Sequence, residues 1–207
     1  MNTDLSQLYR LRKKDVKTAS EVFLRAFVKD PLLLHMFPDE KSQKKYTLEY
    51  FRSRINYGFF YGEIYATSPN IEGLAIWFQS DKFVVTNWKV LRSGGLKLLF
   101  SVDMKTIKRV LDLGDFTNEF KHKHIHFPYW YLAPVDVDPQ HQGKGLCSKL
   151  LKPMLTRCDK EGIPTVLETQ LEKNVEIYKR YGYETIAETT IPESNLPHYL
   201  MVRHPRT

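Results

Sequence analysis

The sequence predicts an α/β (α+β) domain built on a mixed central β-sheet with helices packed against it. Two patterns carry this. From residue 129 onward the apolar positions read strand, helix, strand, helix, strand, strand. Ahead of them, residues 14–78 read as two amphipathic helices leading into a pair of short apolar strands. The composition agrees: 207 residues, 42% hydrophobic and 27% charged, suit a globule with a core of its own rather than a disordered tail or a membrane protein.

The elements follow in order. Residues 5–12 supply a first strand around Leu8, Tyr9 and Leu11. Val16, Ala19, Val22, Phe23, Ala26 and Phe27 recur at a period of about 3.6 and predict a helix over 14–27, ended by Pro31. A second helix is expected over 42–57, stopping at Gly58, and then strands over 63–67 and 73–78 joined by a turn at Pro69-Asn70. Residues 79–128 carry apolar residues at helical spacing, interrupted at Ser93-Gly94-Gly95 and Gly114-Asp115. They read as two or three helices inserted into a single domain spanning 1–207. Residues 129–137 look like a buried central strand closed by Asp138-Pro139. The helix over 145–161 presents Leu146, Leu150, Leu151, Met154, Leu155 and Cys158 on one face and stops at Gly162, with Pro153 expected to kink it. A strand over 165–168, a helix over 173–181 ended by Gly182, and strands over 183–191 and 199–203 complete the chain.

Lys and Arg number 31 against 24 Asp and Glu, giving a formal charge of +7 and favouring anionic partners, a phosphorylated cofactor or nucleic acid alike. Cys147 and Cys158, eleven residues apart in one helical stretch, cannot reach each other. A reducing, cytoplasmic setting is expected, since the first residues lack a secretory pattern and no run of 18 apolar residues occurs.

The segment richest in chemistry is Asp138-Pro139-Gln140-His141-Gln142-Gly143-Lys144-Gly145-Leu146, where a strand ends, two glycines turn and a helix begins. Unpaired amides at a helix N-terminus form a cradle for phosphate oxygens, and glycines let such a ligand approach. The same glycines would equally serve an ordinary strand-to-helix turn. In the next helix Asn174 and Tyr178 stand four residues apart on one face, followed by Tyr181 and Gly182-Tyr183. A tyrosine of ordinary pKa about 10 suits protonation of a departing thiolate.

With these motifs the sequence resembles the GCN5-related N-acetyltransferase (GNAT) family, whose loop pattern [Q/R]xxGx[G/A] matches Gln140-His141-Gln142-Gly143-Lys144-Gly145. The family's Asn, Tyr, Gly-Tyr pattern matches Asn174, Tyr178, Gly182 and Tyr183. The resemblance extends to puromycin N-acetyltransferase and its relatives through HFPYWYLAPVDVDPQHQGKGL and GIPTVLETQLEKNVEIYKRYGYE. It implies an acyl-CoA N-acyltransferase fold with splayed central strands and acetyl-CoA as cosubstrate. It further implies pyrophosphate contacts from Gln142, Gly143, Lys144, Gly145 and Leu146, pantetheine contact from Asn174, and Tyr178 as proton donor to the coenzyme A thiolate. The implied reaction is direct transfer, in a ternary complex, of the acetyl group to the primary amine of a small molecule. An amide near Val135 or Val137 would polarise the carbonyl.

The amine must also lose a proton. Glu168, an acid in the apolar run Val166-Leu167-Glu168, is a candidate base whose pKa burial would raise, or else a core-edge carboxylate that binds the substrate ammonium or braces the sheet. Asp136 and Asp138 are weaker candidates that also suit a turn. Cys147 reads as a core thiol rather than an acyl carrier. The series His122-x-His124-x-His126 would share a face if extended, without a further ligand to complete a metal site, so no metal is expected. Lys121, Lys123 and Lys144 can each attract anions, Lys144 nearest the phosphates because it belongs to the turn, with surface charge the alternative for Lys121 and Lys123. Two other functions fit the residues less well: a basic nucleic-acid-binding module, for which no recognition motif is present, and a coenzyme-A-binding fold without turnover. A monomer and a homodimer are equally compatible with the pattern.

Overall fold

The computed structural model describes residues 4–83, 89, 93, 100 and 102–206. Seven strands form one sheet: β1 Tyr9–Arg10, β2 Gly62–Ala66, β3 Gly73–Gln79, β4 Trp130–Val137, β5 Thr165–Thr169, β6 Glu184–Thr190 and β7 Pro197–Arg203. Their spatial order is β1-β2-β3-β4-β5-β7-β6. Every neighbouring pair is antiparallel except β4 and β5, the central parallel pair. The mixed sheet is thus as the sequence predicts.

The helices among the described residues are α1 Val16–Phe27, α2 Pro31–Met36, α3 Glu40–Tyr61, α4 Met104–His124, α5 Leu146–Glu161 and α6 Glu172–Lys179. The sheet is covered on both faces, as the continuous apolar runs of its central strands require. On one face Leu74, Ile76, Phe78, Tyr131, Val166, Leu200 and Val202 pack with α1, α3 and α4 residues such as Phe23, Ile55 and Leu113. On the other, Ala75, Trp77, Trp130, Leu132, Leu167 and Met201 meet Leu150, Leu151 and Met154 of α5 and Val175 of α6.

Several boundaries differ from expectation. The first strand keeps two residues, because Leu5–Gln7 turns as a 3-10 helix capped by Asp4. Pro31 does not merely end α1: it is the first residue of α2, where its missing N–H costs nothing, and Asp30 caps the turn by accepting from the amides of Leu32 and Leu33. Gly58 does not stop the second helix. That helix runs on to Tyr61, and Gly58 is a point of close approach, since a Cβ there would lie 2.9 Å from Ile64 Cδ1 and 3.0 Å from Ile76 Cγ2. Within 79–128, α4 runs unbroken through Gly114-Asp115, with Asp103 capping it at Thr106. Gly94 and Gly95 of the expected interruption lie outside the described residues. Gly162, at φ +67°, ends α5 as predicted, and Pro153 lies buried within that helix.

Candidate active site

The central parallel pair opens almost as soon as it forms. β4 and β5 pair at Trp130–Thr165 and Tyr131–Val166 and no further, although both strands continue. The Asp138 amide donates to Glu72 of the β3 side, so ladder alternation turns the amides of Val137 and Val135 toward the opposite edge, which faces the gap. The Val137 amide donates to Asp136 Oδ1 at 2.7 Å, and the Val137 carbonyl accepts from Gln142 Nε2 at 3.0 Å. A cleft of about 820 Å³ occupies the gap. Its lining comes from α1, α2 and α3 on one side and from the loop after β4, α5 and α6 on the other.

The glycine turn closes one end of this cleft. Asp138 is a turn former rather than a free carboxylate: it accepts from the Gln140 amide at 3.1 Å and is paired with Arg25, whose Nε lies 2.8 Å away. Burial would raise its pKa, but the hydrogen bond from Arg25 and that from the Gln140 amide outweigh this and lower it. Gly143 and Gly145 stand at φ +77° and +76°, and a Cβ on either would meet nothing within 4 Å. Backbone conformation, not crowding by the protein, therefore demands glycine, and open space lies where a ligand would approach. Gly145 caps α5 without a side-chain hydrogen bond, leaving the first amides from Leu146 onward available to an anion. Lys144 is exposed, its Nζ 3.5 Å from the Gln140 carbonyl.

Asn174 and Tyr178 come together on the cleft side of α6 as their spacing predicts. Asn174 Nδ2 donates to Thr169 Oγ1 at 3.3 Å, tying the helix to the end of β5. Tyr178 packs edge-on against Tyr183, with ring centroids 5.8 Å apart, and its hydroxyl has no hydrogen-bond partner among the described residues. Burial pushes its pKa well above the ordinary phenol value, so the proton is held more tightly than the sequence alone implied.

Glu168 lies in the cleft, but its environment is the reverse of the expected one. Burial by itself would raise its pKa; the charge of Lys121 and hydrogen bonds from His198 and Tyr131 outweigh this and hold it down at about 2. Lys121 Nζ is 3.1 Å from Glu168 Oε2, which also accepts from the Tyr131 hydroxyl. His198 Nε2 is 3.0 Å from Oε1, and Gln170 Nε2 lies 2.8 Å from His198 Nδ1. Lys121, for which the sequence leaves anion attraction or surface charge open, is not at the surface but buried above the Tyr131 ring, its Nζ 4.5 Å from the centroid.

Three comparisons bear on this geometry. Residues 116–186 match the family model described as "Acetyltransferase (GNAT) domain". The protein is 29% identical over 214 residues to an uncharacterized N-acetyltransferase of Schizosaccharomyces pombe, covering 96% of this chain and 83% of that one. A Corynebacterium glutamicum structure described as "histone acetyltransferase HPA2 and related acetyltransferase" superposes with a TM-score of 0.68 at 18% identity, over 97% of each chain. The chain has the GNAT acetyltransferase fold. Arylalkylamine N-acetyltransferase 2 of Aedes aegypti shares this fold, with a TM-score of 0.59 at 12% identity over 96% of this chain and 98% of that one.

The remaining candidates divide clearly. Asp136 lines the cleft, and burial, aided by the charge of Asp30, pushes its pKa up to about 6. Both cysteines are free. Burial also raises the Cys147 thiol, opposite to what an acyl carrier needs. His122 and His124 lie on helix α4 rather than on an extended strand, and His124 Nδ1 meets the Phe120 carbonyl at 2.8 Å. Among the described residues no group of three His, Cys, Asp or Glu is placed to hold a metal, and no helix is long and apolar enough to cross a membrane. Sequence reasoning missed His198, Tyr131 and Gln170. One signal was present: His198 shares its strand face with Leu200 and Val202, and a histidine on a core face requires partners.

Proposed function

We propose that the protein transfers the acetyl group of acetyl-CoA directly to a primary amine of a small molecule within a ternary complex, with residues 1–207 acting as one catalytic domain. One observation carries the reading: the open cradle at Gly143 and Gly145 lies at the mouth of the gap between β4 and β5. Backbone amides from Gln142 to Leu146, with Lys144 at the rim, suit the coenzyme pyrophosphate. Asn174 fits the pantetheine arm. The edge amide of Val135 suits the acetyl carbonyl, where a donor stabilises the developing oxyanion, and Val137, whose amide is held by Asp136 Oδ1, lines the path of the arm.

The amine nitrogen attacks the carbonyl carbon, and Tyr178 gives its phenolic proton to the sulfur as the carbon–sulfur bond breaks. The acceptor proton passes to water. Glu168, already bonded to Lys121, Tyr131 and His198, serves as a fixed anion that draws the acceptor ammonium into place rather than as the base. Two free thiols suit a cytoplasmic, reducing setting.

Calorimetric titration with acetyl-CoA tests the cradle. Saturable one-site binding supports it and opens an amine screen that starts, from the sequence likeness, with puromycin and other aminoacyl nucleosides. A folded protein that binds no acetyl-CoA, or that binds it and acetylates no amine, removes the reading.

A further inference from the structure

Two cationic side chains at the cleft are committed to carboxylates. Arg25 is held by Asp138, and Lys121 by Glu168. Arg54 of α3 lines the same cleft half-buried, with no carboxylate and no hydrogen-bond acceptor among the described residues. Its guanidinium is stacked on aromatic rings, with Cζ 5.2 Å from the centroid of Phe83 and 6.0 Å from that of Phe78. These cation–π contacts engage the ring faces, and no hydrogen-bond acceptor among the described residues meets the guanidinium N–H donors. Tyr131 joins this group to Glu168: its ring lies 4.9 Å from Phe83 and its hydroxyl donates to Glu168 Oε2.

Arg54 does not stand where the coenzyme phosphates are expected. It lies beside Phe78 and Tyr131, near the start of β4, whereas the glycine cradle follows Val137. Six residues of strand separate the two ends, about 20 Å. A planar guanidinium with free edge donors matches one carboxylate in a two-bond fork. A phosphate dianion would call for a second unpaired cation beside it, and Lys121 is already committed.

From this arrangement we infer that the acceptor carries a carboxylate as well as its amine: Arg54 binds the carboxylate and Glu168 faces the ammonium, so the substrate class is an amino acid with a free carboxyl group. The inference rests on the acetyl-transfer reading but can fail without it. Puromycin, whose amino acid is joined through an amide, lacks that carboxylate and is predicted to be the poorer acceptor.

The test compares matched pairs of free amino acids and their amides, such as L-phenylalanine with L-phenylalaninamide and L-leucine with L-leucinamide, by release of coenzyme A thiol. The acid is expected to exceed the amide at least tenfold in kcat/KM. R54M is expected to bring that ratio close to one, and R54K to keep part of it. Equal or better turnover of the amides or of puromycin overturns the inference while leaving acetyl transfer standing, as does a ratio that R54M does not change. A product-side measurement stands beside the kinetics: with coenzyme A present, N-acetyl-L-phenylalanine should raise the melting temperature more than N-acetyl-L-phenylalaninamide, and R54M should erase the difference. Equal shifts in the wild-type protein overturn the inference even where turnover is slow. Failure to bind acetyl-CoA at all removes the underlying reading, and the acceptor assignment with it.

Discussion

Lys121 Nζ sits 3.1 Å from Glu168 Oε2, with 4% and 6% of the two side chains exposed, and the pair fastens α4 to the middle of the sheet. Removing one partner of a buried pair strands the other charge. K121M is therefore expected to cost about 3–5 kcal/mol of stability, read as a lower urea midpoint, and K121M/E168Q should recover part of that loss. A single variant as stable as wild type would contradict the pairing.

The sign of the pH dependence follows from the same pair. Glu168 has a depressed folded-state pKa, so its contribution is present above the ordinary carboxylate value and is lost as pH falls from about 4.5 toward 2. Stability should decline across that window, and E168Q should decline less steeply than wild type between pH 5 and 2. Parallel slopes would show that Glu168 is not the group titrating.

Replacing Tyr178 by Phe removes a hydroxyl that has no partner within the described protein. The melting temperature should change little, while turnover at saturating substrates should fall about 10²-fold or more. Because burial raises its pKa, Tyr178 remains protonated through pH 9 and should contribute no basic limb to the rate profile below that pH. Wild-type turnover in Y178F would remove the donor role.

Gly145 combines a positive φ with empty space around its missing Cβ. G145A is expected to lose about 1–2 kcal/mol from backbone strain and to weaken acetyl-CoA binding at least tenfold, because the added methyl group enters the ligand's approach. Calorimetry separates the two effects: a destabilised variant with unchanged affinity would leave a structural turn only.

Cys147 lines the cleft but has a raised pKa. C147S should retain transfer within about threefold, and no acetyl thioester should appear on the intact protein by mass spectrometry after incubation with acetyl-CoA. A covalent adduct at Cys147, or loss of turnover in C147S, would replace direct transfer with a two-step route.

Much of this protein was determined by the sequence alone. The periodicities fix the mixed sheet, the hairpin of β2 and β3, and the strand-turn-helix at Gly143 and Gly145, because each is a local pattern of apolar spacing and glycine conformation. Asn174 and Tyr178 share a cleft because four residues make about one helical turn. The tertiary structure alone decided the state of Glu168. Its partners Lys121, Tyr131 and His198 are 47, 37 and 30 residues away in the chain, and local burial predicts the opposite pKa shift from the one their charge and hydrogen bonds produce. It likewise decided that Pro31 begins a helix, since Asp30 caps the amides beyond it, and that Gly58 is a packing contact, since Ile64 and Ile76 arrive from neighbouring strands. A pattern along the chain sets what each segment can form. Which charges meet depends on long-range packing, and so does the chemistry of the cleft.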